Sequence, residues 1–264
     1  MNASARSEAV ELQVFITAKP ATVFRFFSNA EKFRKWMGES SSIVPGAGGE
    51  LIVRHGPNPP ATGHIVEWVP ERRIVFTWGH AHEGASVSLD SSRVIITMEP
   101  VAEGTRVTLR HEGLPSESDR QAHRGGWSFY LSNLSHVSIA EQFAGRLESI
   151  VDGYVEAWNE AEPARRAIAL EKVWAERGRF CDMYACVNGR EAFNAHIGGT
   201  RKMLMGARLE RSGAVQQVHS FVRWPWRIVL SGGGVMACGI NVMEFDVDSR
   251  IRLAVGFWDP PKQR

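Results

Sequence analysis

The chain has 264 residues and a mass of 29.4 kDa, more than one hydrophobic core usually organises, so two cores of about 130 residues each are expected. A hydrophobic fraction of 44% and a charged fraction of 23% are those of an ordinary globular protein and exclude extended disorder. The formal net charge of +2 divides into 14 basic against 14 acidic residues up to Val137 and 17 against 15 beyond it, so neither half is a basic patch and nucleic-acid binding is not expected.

Met1 to Arg6 lack the apolar core of a signal peptide, and no apolar run approaches the roughly 18 residues of a membrane span. A cytoplasmic protein without membrane contact is expected. Cys181, Cys186 and Cys238 are odd in number and form no C-x-x-C pair, which predicts buried free thiols and neither a disulfide framework nor a zinc site. Nine Trp stand against three Tyr, and Trp lines ligand cavities as well as it fills cores.

In chain order, Val10, Leu12, Val14 and Ile16 alternate with more polar neighbours, which predicts an opening strand. Pro20 stands at a first helical position, followed by Val23, Phe24 and Phe27 at helical spacing. Asn29 can cap a second short helix carrying Phe33 and Trp36. Strands punctuated by turn residues follow: 50–54, 63–69, 74–78, 94–99 and 106–112. Residues 117–137 lack Pro and place Trp127, Tyr130, Leu131, Leu134 and Val137 three and four apart, which predicts a long amphipathic helix. His80 and His82, an H-x-H pair, stand between Gly79 and Gly84, so a solvated loop is expected and no metal site.

Four stretches together resemble the helix-grip (START-like, SRPBCC) superfamily, in the branch similar to the activator of heat-shock-chaperone ATPase. They are Ala18 to Phe27 with Trp36, G-H-I-V-E-W-V-P-E-R-R-I-V-F-T-W from Gly63, G-T-R-V-T-L-R-H-E-G-L from Gly104, and His123 with Gly126-Trp127 and Leu134. The resemblance covers nearly all of residues 1–139. It implies an antiparallel sheet gripping a long C-terminal helix around a hydrophobic cavity, usually without a shared catalytic residue. Trp36, Trp68, Trp78 and Trp127 are candidate ligand-binding residues there, or plain core.

In the second half, Ile150, Val151, Tyr154, Val155 and Trp158 fall at helical spacing. Pro163 opens a helix that runs through Ile168, Leu170, Val173 and Trp174 and is expected to end at Gly178. After an extended piece at 180–187 and the Asn188-Gly189 turn, a third helix is expected over 190–197. Strands then follow from Ala207, Val215, Trp226, Val235 and Arg250.

This order, with Tyr154 to Asn159, Val173 to Asp182, Gly189 to Ala192 and Gly239 to Phe257, resembles the nuclear transport factor 2-like superfamily, which includes ketosteroid isomerases and SnoaL-type polyketide cyclases. It implies that residues 140–264 form a cone-shaped bent sheet behind three N-terminal helices, with a pocket at the wide end. The fold class expected is thus α+β in two domains. The resemblance also carries a site. The isomerase Asp falls on Asp182, and its two oxyanion donors on Tyr154 and Asn241, where the isomerases have a protonated acid. Apolar walls from Phe180, Met183 and Trp174 are expected to favour the neutral carboxyl.

Trp158, Trp174 and Phe245 are further candidate ligand contacts. His219 and Arg223, two strand positions on one face with Phe221, either enter the pocket or lie on an exposed sheet face. Three functions remain open: binding of a small hydrophobic metabolite (lipid, polyketide or steroid-like), proton abstraction beside a carbonyl by an isomerase, cyclase or dehydratase, and a dimerising interaction module. No cofactor is expected. Homodimerisation would use the outer sheet face; Ile251, Leu253, Val255 and Phe257 alternate along the last strand and suit such a face or a core equally.

Overall fold

The alternation at the start of the chain becomes β1 (Val10–Ile16), an edge strand, in a computed structural model that describes residues 9–54, 56 and 59–259. Contacts divide the chain into two units, Met1–Gln142 and Phe143–Arg264. Both are mixed α and β.

In the first unit β1 leads into α1 (Pro20–Ser28) and α2 (Ala30–Met37). Asn29 ends the first and caps the second, its Oδ1 accepting the Lys32 amide at 3.0 Å. A meander follows: β2 (Ser42–Ile43), β3 (Glu50–Val53), β4 (Ala61–Val69), β5 (Arg73–His80), β6 (Ser92–Val101) and β7 (Gly104–Glu112). The sheet order is β1-β7-β6-β5-β4-β3-β2, all antiparallel. Then comes α3 (Glu117–Phe143), with Trp127, Leu131 and Leu134 buried. Trp127 meets Phe76 and Trp78 of β5 and His111 of β7, so the helix grips the inner face of the sheet. His80 closes β5 and is half-buried, where a loop was expected.

The second unit begins with α4 (Leu147–Asn159) and α5 (Pro163–Val173), continues through β8 (Trp174–Cys181) and β9 (Cys186–Asn188), and adds α6 (Arg190–Met203). The strands β10 (Arg208–Arg211), β11 (Gln216–Val218), β12 (Phe221–Val229), β13 (Val235–Phe245) and β14 (Ile251–Trp258) complete a sheet of order β10-β12-β13-β14-β8-β9, with β11 also on β12. Within this sheet only β14 and β8 pair in parallel among the described residues. Register shifts at Ile228/Val229 and Glu244/Phe245 bend the long strands.

Three expectations need correction here. The helix from Pro163 stops at Val173, and Trp174 opens a strand. Trp174 is fully buried and stacks on Phe193 with centroids 4.2 Å apart. Gly178 is therefore not a helix cap: a Cβ there would lie 2.5 Å from Trp174 Nε1, so the glycine gives the indole its room. Cys181 and Cys186, expected as free buried thiols, are bonded to each other across β8 and β9, while Cys238 is free. Ile251 does not share a face with Leu253, Val255 and Phe257. The register shift between Ile251 and Leu253 turns it inward, and it is fully buried.

Candidate functional site

A cavity of about 680 Å³ opens in the second unit between α4, α6 and the inner face of the sheet. Its walls are mostly apolar: Trp158, Phe180, Leu204, Trp226, Ile228 and Trp258 contribute to it. Tyr154, Asp182, Asn241 and His196 reach the same space. Strand register explains how three of the elements meet. Asn241 of β13 is paired with Gly256 of β14, and the neighbouring Val255 is paired with Cys181, just before Asp182. Gly256 carries no side chain between the two polar groups: a Cβ there would lie 3.2 Å from Asn241 Oδ1 and 3.4 Å from Asp182 Cβ.

Asp182 Oδ1 accepts the amides of Tyr184 and Ala185, both at 2.8 Å, and so shapes the turn between β8 and β9. Oδ2 has no hydrogen-bond partner among the described residues. Of the three apolar side chains expected to wall this carboxylate, only Phe180 does so. Phe180 lines the cavity, Trp174 lies in the core behind it, and Met183 is 68% exposed. Tyr154 is buried on α4 among Trp158, Trp174, Phe193 and Trp224. Burial pushes its phenol well above the usual range, the Trp158 indole N–H offsets part of this, and the negative charge of Asp182 adds to it. Tyr154 is thus a neutral donor at any physiological pH.

His196 on α6 was given no role in the sequence. Its ring lies 5.4 Å from Phe180 and 5.9 Å from Trp158. Burial lowers its pKa and the charge of Asp182 opposes that. Only its helical offset from the core residues Phe193 and Ile197 could have drawn attention to it. Trp226 was seen as a strand marker, yet it lines the cavity and its buried Nε1 has no partner among the described residues.

Several candidates are not brought to this cavity. Trp174 and Phe245 are fully buried core. Arg223 lies on the exposed outer face, because β12 buries Val222, Trp224 and Trp226 and period 2 turns Arg223 away from them; His219, expected as a strand position, is an exposed turn residue with φ 52° before β12 begins. Arg223 Nε instead donates to Gln216 Oε1 at 2.7 Å.

In the first unit, Trp78 and Trp127 line a second cavity of about 520 Å³ with His80, His82, His123 and Tyr130. Trp127 Nε1 donates to His111 Nδ1 at 3.0 Å, so the His111 proton sits on Nε2 and is donated to Ser92 Oγ at 2.9 Å. That hydroxyl donates in turn to the Trp78 carbonyl at 2.7 Å. Burial, with His123 beside it, lowers the His111 pKa to about 3, so the chain of donors stays neutral. Trp36 is core, its Nε1 bonded to the Phe26 carbonyl at 3.0 Å, and its edge borders a separate groove beside Arg34 and Arg54. Trp68 is half-buried against Phe24 and lines neither. Among the described residues no group of three or more His, Cys, Asp or Glu could hold a metal ion, and no helix is long and apolar enough to cross a membrane.

A long helix held against an antiparallel sheet, with an aromatic cavity between them, defines the first unit as a helix-grip domain. Residues 17–138 match the family described as Activator of Hsp90 ATPase homolog 1-like protein. Among solved structures, an Activator of Hsp90 ATPase homolog 1-like protein from Rhizobium etli is 33% identical over 49% of this chain and 81% of its own, with a TM-score of 0.41. A candidate isomerase of the SnoaL-like family from Agrobacterium tumefaciens is 30% identical over 43% of this chain and 97% of its own, with a TM-score of 0.42. The Aha1 dimer from Colwellia psychrerythraea is 19% identical over 48% of this chain and 92% of its own, also at 0.42. No curated protein matches the chain.

Proposed function

We propose that the second unit is a nuclear transport factor 2-like, SnoaL-like domain that binds a small hydrophobic metabolite bearing a carbonyl or hydroxyl group. Lipid, polyketide and steroid-like molecules are the classes that fit. The observation carrying this reading is the convergence of Tyr154, Asn241 and Asp182 on one apolar cavity of about 680 Å³. Phenol and amide donate to the ligand oxygen, the surrounding rings exclude water, and low local polarity strengthens each hydrogen bond.

A second reading, proton abstraction beside a carbonyl, draws on the uncommitted Oδ2 of Asp182 next to two oxyanion donors. Asn241 is a weaker donor than the protonated acid of the isomerases, so any such enzyme differs from them in substrate or rate. Asp182→Asn separates the two readings. The amide oxygen can still accept from Tyr184 and Ala185, so the turn persists. Against a panel of enones and polyketide-like ketones, binding without turnover, unchanged in Asp182→Asn, supports the binding reading. Turnover lost in the variant supports the enzyme. A panel with no Kd below about 100 μM sinks both.

For assembly, a second copy of this chain fits the outer sheet face. Ile240 and Phe257 are paired across β13 and β14 and exposed, with Val242 and Val255 beside them. Sedimentation at micromolar concentration should show a dimer that Phe257→Glu dissociates; a strict monomer removes this reading.

A further inference from the structure

Cys181 ends β8 and Cys186 begins β9, directly opposed in the hairpin register with Cα atoms 4.2 Å apart and their sulfurs joined. The Asp182 amide donates to the Ala185 carbonyl in the adjacent pair, which makes 181/186 a non-hydrogen-bonded position, where opposed side chains come closest. The Arg179 guanidinium faces the same sulfur: Nε and Nη2 lie 3.3 and 3.1 Å from Cys186 Sγ. Cys186 is exposed and Cys181 half-buried. A solvent-facing sulfur beside a fixed cation is the environment in which the thiolate, and hence nucleophilic attack, is favoured.

We propose that Cys181 and Cys186 are a reversible thiol–disulfide site, with Cys186 the attacking thiol, that sets how firmly the hairpin carrying Asp182 is held. The oxidant class is a peroxide. Cys186 thiolate attacks one peroxide oxygen, the O–O bond breaks, and hydroxide leaves, giving a sulfenic acid. Cys181 thiolate then attacks the Cys186 sulfur and expels a second hydroxide, so two thiols and one hydrogen peroxide become one disulfide and two waters. A dithiol reverses the step by exchange.

The linkage to the cavity is short. Of the four residues between the cysteines, Asp182, Tyr184 and Ala185 line it. In the disulfide the hairpin ends are tied and the bonds from the Tyr184 and Ala185 amides to Asp182 are fixed. On reduction the sulfurs turn apart by rotation about χ1, the covalent tie across the strands is lost, and the turn is held by its hydrogen bonds alone. The consequence for ligand binding rests on the cavity reading proposed for the second unit.

The test uses the full chain, reduced with dithiothreitol, desalted and treated with hydrogen peroxide. Intact mass should fall by two hydrogens, recover on reduction, persist in Cys238→Ser and vanish in Cys186→Ser and Cys181→Ser. Arg179→Gln should slow the reaction about threefold or more. Hydrogen exchange should show the 182–186 segment exchanging several-fold more slowly in the oxidised form. No internal disulfide between these two residues, or exchange that is the same in both forms, would overturn the proposal. Neither readout uses a ligand, so a chain that passes both and binds no apolar molecule contradicts the cavity reading alone.

Discussion

Asn241 and Asp182 approach each other across β14 because the residue between them is Gly256, where a Cβ would sit 3.2 Å from the Asn241 amide oxygen and 3.4 Å from Asp182 Cβ. Gly256→Ala should therefore displace both groups while leaving the strand intact. The expected cost is about 1 kcal/mol of stability from overpacking and about a tenfold loss in affinity for apolar ketone probes. Urea titration and isothermal calorimetry measure the two. An unchanged Kd would show that the spacing of Asn241 and Asp182 does not matter for binding.

Tyr154→Phe removes one hydroxyl from a side chain otherwise packed among Trp158, Trp174, Phe193 and Trp224. Stability should change by no more than about 1 kcal/mol, since the aromatic contacts remain. Binding of carbonyl-bearing probes should weaken about tenfold, with little effect on a hydrocarbon of the same shape. Equal losses for both ligand types would place the hydroxyl in packing alone.

The fold was largely legible from periodicity and punctuation; the site was legible only in part. Alternation from Val10 to Ile16 and the three-and-four spacing around Trp127 report burial directly, so β1 and α3 followed from the sequence. Trp174 misled because a Trp four residues after Leu170, at the end of a proline-led helix, fits that helix as well as a strand, and only packing on Phe193 decides. The Cys181–Cys186 pair was hidden for a related reason: spacing along the chain does not reveal that a turn of four residues sets them opposite each other. Period 2 from His219 to Arg223 reads as one strand face, but the sequence does not show that the chain turns at His219 before β12 begins, nor which face of β12 is inside.

The neutral His111 makes the first unit sensitive to acid. Its folded pKa of about 3 lies below the ordinary 6.5, so the unfolded chain binds the extra proton. The stabilisation is fully present above pH 6.5 and is lost as pH falls toward 3. At its limit it is about 5 kcal/mol. His111→Gln, which can still accept from Trp127, should lower stability at neutral pH and flatten its dependence between pH 6.5 and 3. Hydrogen exchange of β7 and α3 segments, corrected for intrinsic rates, follows this unit by itself. Identical pH slopes in both proteins would mean that another group dominates.

The claim on which the functional reading depends is that the cavity of the second unit holds a small apolar molecule. Gly199 lines it, and a Cβ there would meet nothing within 4 Å, so Gly199→Leu can narrow the space without strain and with better helix propensity. Native mass spectrometry of the full chain purified from its own cells, beside this variant, is the most direct measurement. The account predicts a co-purifying molecule of a few hundred daltons, a size suited to such a cavity, on the parent protein and its loss from Gly199→Leu. A parent protein that carries no adduct and takes up no lipophilic ketone, or an adduct retained in full by the folded variant, would contradict it.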